Sequence, residues 1–140
     1  MSRSSKAYIA GIYEHPTRKA VDKTIPQLHT EVAIGALADA GLSMDDVDGY
    51  FCAGDAPGLG GISMAEYMGL DIKYTDCTET GGSSYVVHVG HAMNAIAMGK
   101  CSVALVTLAG QGQKASPHWG RVIMAIHYPN WVLKTPMAPW

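Results

Sequence analysis

The chain is 140 residues long, enough for one domain with a sizeable core. With 48% hydrophobic and 16% charged residues and a net charge of -2, it carries no broad basic field, which argues against nucleic acid and anionic lipid as partners. Cys52, Cys77 and Cys101 show no CxxC or CxxH spacing, so neither a zinc site nor a disulfide framework is expected, and a reducing cytoplasm fits best.

Residues 1–6 (MSRSSK) are polar and read as neither a signal peptide nor a membrane span. The apolar run at 7–12 (AYIAGI), stopped by Glu14-His15-Pro16, reads as a buried first strand. Thr24 or Ile25 then caps a helix with Pro26 in its first turn, where the missing N–H costs nothing. Leu28, Val32, Ala33, Ala36, Leu37 and Ala40 form its core face, and Gly41 closes it. Residues 48–53 (DGYFCA) predict a second strand. The glycine-rich stretch 54–61 lacks GxGxxG and GxxxxGK, so it reads as a flexible connection and not a phosphate loop. A short helix at 62–68 ending at Gly69 and a third strand at 73–77 follow.

Residues 74–110 organise the rest. The turn Thr80-Gly81-Gly82-Ser83-Ser84 permits a tight backbone and supplies hydroxyls just before an apolar run. The helix it opens is expected over 83–98, with Val86, Val89, Met93 and Ile96 as an apolar stripe and Ser84, His88, His91 and Ala95 as a line beside it, buried over much of its surface. Gly99 stops it, with Lys100 near its negative end. The unbroken apolar run Val103-Ala104-Leu105-Val106 suits a central strand covered on both faces. Free N–H groups at such a helix start favour an anion or a developing oxyanion. After Gly110 the composition changes: residues 111–140 hold all three tryptophans, and Pro129, Pro136 and Pro139 break what periodicity there is, although 122–127 could form a strand or a short helix. Strands alternating with helical patterns predict an α/β fold with a mostly parallel mixed sheet and a buried helix after the glycine turn, built by 1–110, with 111–140 a divergent tail that is truncated or docks on a partner.

The order AYIAGI, LHTEVAIGALADAGL, VDGYFCAG, MGLD, the glycine turn and AIAMGKCSVALV resembles the N-terminal half of the thiolase superfamily, and is most similar to the sterol-carrier and lipid-transfer thiolase-like proteins, including their aldolase branch. The resemblance spans about residues 6–110. It implies acyl-CoA as substrate, with coenzyme A entering as part of that substrate and no tightly bound cofactor. It also implies a cysteine at the start of the buried helix, in a pattern like Asn-x-x-Cys-x-Ser-Gly. Aligned from AIAMG, that position is Gly82, with Ser84 matching the serine and Glu79 the asparagine; anchoring on Gly81 instead puts Thr78 there. Cys77 is the neighbouring thiol and a candidate nucleophile, against a plain reading as a strand cysteine. The family's Gly-His-Pro histidine and second cysteine belong to a C-terminal half not found in these residues, and Glu14-His15-Pro16 is not that motif.

Without the cysteine, a Claisen condensation through an acyl-enzyme gives way to retro-aldol cleavage, which requires acid and base but no acyl nucleophile. Gly81, Gly82, Ser83 and Ser84 are then expected to position the thioester carbonyl, with Tyr85 or His88 as hydrogen-bond donors. The rival expectation is a noncatalytic binding or assembly subunit, because half a thiolase fold exposes surfaces that a homo-oligomer or another protein chain would cover. His88 and His91 lie three apart on one helix face but lack a third ligand, so no metal is expected.

Overall fold

The computed structural model describes residues 7–17, 20–54, 56–110 and 130–134, and for Asn130 and Trp131 the backbone alone. Five strands form one mixed sheet: β1 (Tyr8–Tyr13), β2 (Gly49–Phe51), β3 (Tyr74–Asp76), β4 (Val103–Val106) and β5 (Asn130–Lys134). Their spatial order is β1-β5-β4-β2-β3. β2 runs parallel to both β3 and β4, whereas β5 pairs antiparallel with β1 and with β4. The sheet is mixed, as expected, but with two parallel and two antiparallel pairings it is not mostly parallel, because β5 enters it from beyond residue 110.

Among the described residues three α-helices cover the sheet: α1 (Ile25–Asp39), α2 (Gly61–Met68) and α3 (Ser84–Ala97). Successive strand residues point to opposite faces, and the core divides accordingly. Tyr50, Val103, Leu105 and Val132 pack with Ala33, Leu37 and Met64 of α1 and α2. On the opposite face Phe51, Ala104, Val106 and Leu133 pack with Tyr85, Ala92 and Ile96 of α3.

Local sequence explains the helix ends. Thr24 caps α1 in a capping box: the Gln27 amide donates to Thr24 Oγ1 at 3.3 Å and the Thr24 amide donates to Gln27 Oε1 at 2.8 Å. Gly41, Gly69 and Gly99 follow α1, α2 and α3 at φ of 68°, 69° and 69°, the left-handed region where a Cβ is penalised. The amides of Leu42, Leu70 and Lys100 then return to the carbonyls of Leu37, Ala65 and Ala95.

Three expectations change. β1 is an edge strand among the described residues, and its Tyr8, Ile9 and Ile12 are exposed; only Gly11 is buried, lying so close to α1 that a Cβ there would be 2.4 Å from the Ala36 carbonyl oxygen. α3 buries Ser84, Tyr85, His88, Ala92, Ala95 and Ile96, leaving Val86 and Met93 exposed. Its apolar residues run nearly all round, so spacing alone did not select the buried face. Finally, 130–134 of the tail form a strand inside the sheet, with Val132 and Leu133 fully buried. The run at 122–127 and Pro129, Pro136 and Pro139 lie outside the described residues.

The core also holds a polar chain that the sequence reading did not single out. His29 lies on the buried face of α1, and its Nδ1 is 2.8 Å from Thr107 Oγ1, which is 2.7 Å from the Tyr50 hydroxyl. All three residues are fully buried. Hydrogen bonding makes such burial tolerable.

Candidate functional site at the start of helix α3

β3 ends in Asp76, and the next residues turn sharply toward α3. Asp76 Oδ1 accepts from the Thr78 amide at 2.8 Å and from the Thr78 hydroxyl at 2.6 Å, an aspartate-led turn in which the side chain replaces a backbone partner. Asp76 Oδ2 pairs with His91 Nδ1. Partial burial works to raise the pKa of Asp76, but the hydrogen bonds from Thr78 and His91 outweigh it and hold the carboxyl below its ordinary value.

His88, one turn before His91, is fully buried, and its Nε2 donates to the Thr78 carbonyl at 2.9 Å. Tyr85 meets the His88 ring edge-on at 5.8 Å between centroids, with Phe51 on another side at 6.3 Å. Both histidines therefore tie α3 to residues 76–78. Beside Asp76 and His91 lies a shallow depression of about 230 Å³, bordered by Tyr74, Asn94, Met98 and Lys100. Among the described residues no three His, Cys, Asp or Glu side chains gather in a way that could hold a metal ion.

Glu79 spans the turn. Its Oε1 accepts from the Gly81 amide at 2.7 Å and from the Ser84 hydroxyl at 3.0 Å, while Oε2 accepts from the Gly54 amide at 2.5 Å. Ser84 is fully buried; its Oγ accepts from the Thr80 amide at 2.8 Å, and its single proton is shared between Glu79 Oε1 and the Gly81 carbonyl, 2.7 Å away. Gly81, Gly82 and Ser83 are exposed. Ser83 is the N-cap residue, yet its side chain makes no capping bond and instead donates to the Thr80 carbonyl at 3.2 Å.

Cys77 is exposed and turned to the other helix: its Sγ accepts from the Gly61 amide, the first of α2, at 3.0 Å, and lies 3.9 Å from Cys52 Sγ. The structure thus brings Glu79, Gly81 and Ser84 together at the start of α3, sets His88 and Tyr85 beneath them in the core, and directs the Cys77 sulfur to α2. Asp76, Gly54 and Gly61 were missed as site residues. Of these, Asp76 had a local signal in its Asp-x-Thr spacing, whereas the two glycines act through backbone contacts to residues far along the chain.

No protein-family model and no curated protein sequence matches the chain. Solved structures do. One described as an Ltp2-ChsH2(DUF35) aldolase superposes with a TM-score of 0.71 at 28% identity, over 79% of this chain and 29% of its own. Acetyl-CoA acetyltransferase from Syntrophomonas wolfei matches at 0.63 and 18% identity, over 74% of this chain and 28% of that one. The SCP2-thiolase like protein type 1 from Mycobacterium smegmatis gives 0.59 and 23%, over 76% and 23%. The chain has the thiolase-superfamily fold. It spans less than a third of the length of these three proteins, and no helix of its described residues is long and apolar enough to cross a membrane.

Proposed function

We propose that the chain is a thiolase-like unit that binds an acyl-CoA thioester at the start of α3 and serves carbon–carbon bond cleavage or formation, by retro-aldol in preference to Claisen chemistry. One observation carries this reading: the nearest thiol, Cys77, lies against the Gly61 amide of α2 and not at the start of α3, where the motif alignment sets Gly82 against the resembled family's cysteine. A carboxylate, Glu79, occupies the α3 turn instead. In retro-aldol cleavage of a β-hydroxyacyl-CoA, a base removes the hydroxyl proton, the Cα–Cβ bond breaks, an aldehyde or ketone leaves, and the thioester enolate is protonated at Cα. No acyl group moves to the protein. Coenzyme A enters as part of the substrate, with no tightly held cofactor, and acid and base come from outside these residues. The 28% identity to a protein described as an aldolase supports this direction, and the acetyl-CoA acetyltransferase neighbour supports the substrate class. A reducing cytoplasm and a place in lipid metabolism fit three free thiols and an acyl substrate.

The test is incubation with β-hydroxyacyl-CoA and with simple acyl-CoA thioesters, with and without candidate partner proteins, following carbonyl product and free coenzyme A separately. Carbonyl product without coenzyme A release is expected. Coenzyme A release that survives Gly82→Ala but disappears in Cys77→Ala would overturn it in favour of an acyl-enzyme at Cys77.

A second reading, a noncatalytic assembly subunit, is favoured by exposed apolar side chains on two elements: Tyr8, Ile9 and Ile12 of β1, and Val86 and Met93 of α3 with Met98 just beyond it. A homo-oligomer or a second protein chain would cover them. A monomer in solution that retains no acyl-CoA would sink both readings.

A further inference from the structure

Cys52 and Cys77 follow directly on two neighbouring parallel strands. The last β2–β3 pair is Phe51 with Asp76, and the Cys52 amide donates to the Asp76 carbonyl at 3.3 Å, so the cysteines continue the register. Paired strands lie about 4.8 Å apart, inside the range of roughly 4.4–6.8 Å between Cα atoms that a disulfide spans. The two sulfurs are 3.9 Å apart. Access to them is unequal, since Cys77 is exposed and Cys52 fully buried behind it.

The glycine-rich stretch before α2 makes room for this arrangement. A Cβ on Gly60 would lie 3.2 Å from Cys77 Sγ, and one on Gly61 would lie 2.9 Å from it. Any other residue at 61 would press on the sulfur. Cys101 contrasts with the pair: it is buried, and burial first, then the Asp48 carboxylate, push its thiol up to about 11.

We propose that Cys52 and Cys77 form a redox-active dithiol, a modification site for low-molecular-weight disulfides of the glutathione type. The Cys77 sulfur attacks one sulfur of the small disulfide, breaking its S–S bond and expelling one thiolate, which takes up the Cys77 proton. The Cys52 sulfur then attacks Cys77 Sγ, breaking the mixed disulfide and releasing the second small thiol with the Cys52 proton. Two protein thiols are oxidised and one small disulfide is reduced to two thiols. Closing the bond draws the sulfurs to about 2.05 Å and staples the ends of β2 and β3 immediately before the turn that leads to α3. The dithiol stands independently of the acyl-CoA reading.

The 140-residue chain, fully reduced, is equilibrated with reduced and oxidised glutathione at a series of ratios, quenched with acid, unfolded in denaturant with an alkylating agent so that buried thiols react, and analysed by intact and peptide mass. Expected are a Cys52–Cys77 linked peptide, loss of two hydrogens, reversal by reduced glutathione, and Cys101 alkylated throughout. Cys52→Ala is expected to stop at a glutathione adduct on Cys77, and Cys77→Ala to slow thiol loss roughly tenfold or more, as exposure governs susceptibility. A wild-type chain, folded by circular dichroism, that keeps Cys52 and Cys77 reduced in oxidised glutathione alone, or that links either one to Cys101, would overturn the proposal.

Discussion

α2 and α3 are both entered through a glycine pair, Gly60-Gly61 and Gly81-Gly82, and residues 77–79 serve both starts with different chemistry. At α2 the incoming group is the Cys77 sulfur, accepting the first helical amide over a glycine pair that clears space for it. At α3 it is the Glu79 carboxylate, which accepts the Gly81 amide and the Ser84 hydroxyl. The positive end of a helix favours the carboxylate, whereas the sulfur is met by the Gly61 amide as a hydrogen-bond donor. What differs is which helix receives the thiol, and in this chain it is not the helix at which the resembled family places its reactive cysteine.

The sharpest way to break this contrast is to add one methyl group at each start. A Cβ on Gly61 would fall 2.3 Å from Thr75 Oγ1 and 2.9 Å from Cys77 Sγ, whereas one on Gly81 meets nothing within 4 Å. Gly61→Ala should therefore cost up to about 3 kcal/mol through overpacking. Gly81→Ala, at φ of 73°, should cost about 1–2 kcal/mol from the left-handed backbone alone. Denaturant midpoints of the two variants measure this, and a Gly61→Ala midpoint no lower than that of Gly81→Ala would mean that Thr75 and Cys77 do not close on the start of α2. Glu79→Ala should cost about 1 kcal/mol by removing the shared acceptor of two amides and a hydroxyl, and Glu79→Gln, which keeps an oxygen, should restore part of it. If both variants match the parent, the carboxylate does not organise the turn.

The smallest effect is in acid. Asp76, and likewise Asp48 with the Ser102 and Val103 amides and Lys73 on it, have folded pKa values below the ordinary carboxylate value, against the raising effect of burial. A carboxyl lowered on folding adds stability that is present above its unfolded pKa, about 3.9 for Asp, and is lost as pH falls through the lowered folded value. Urea midpoints should hold steady near neutrality and decline below about pH 4. Asp76→Asn should flatten part of that decline and leave the share due to Asp48; an unchanged acid slope would remove the Asp76 contacts with Thr78 and His91 from the account.

Most of the elements were legible because their signals are local. Thr24 and Pro26 mark the start of α1, Gly41, Gly69 and Gly99 mark three helix ends, and 103–106 reads as the strand that it is. The resemblance to the thiolase superfamily rested on the order of these elements, and the fold bears it out. What stayed hidden depends on partners distant in sequence. AYIAGI looked buried because it is apolar, but exposure follows from position in the sheet, and β1 lies at an edge. The place of β5 depends on pairing with β1 and β4, which no local pattern records. At the site, Glu79 was visible as a residue matching a motif position, but its grip on Gly54 was not, and the Cys77–Gly61 contact joins segments sixteen residues apart.

β5 also sets an order of events. Among the described residues β1 has one strand neighbour, and that neighbour is made more than a hundred residues later: Tyr8 pairs with Lys134 and Tyr13 with Asn130. On a ribosome, β1 emerges first and waits while α1, β2, α2, β3, α3 and β4 are made. Its early partner is α1, which packs on it through the close approach at Gly11. The sheet joins β1 to β4 only when β5 slides between them, a long-range closure that contributes to slow folding. Until then the flank of β4 that β5 will cover is an unpaired edge, open to any extended segment that reaches it first.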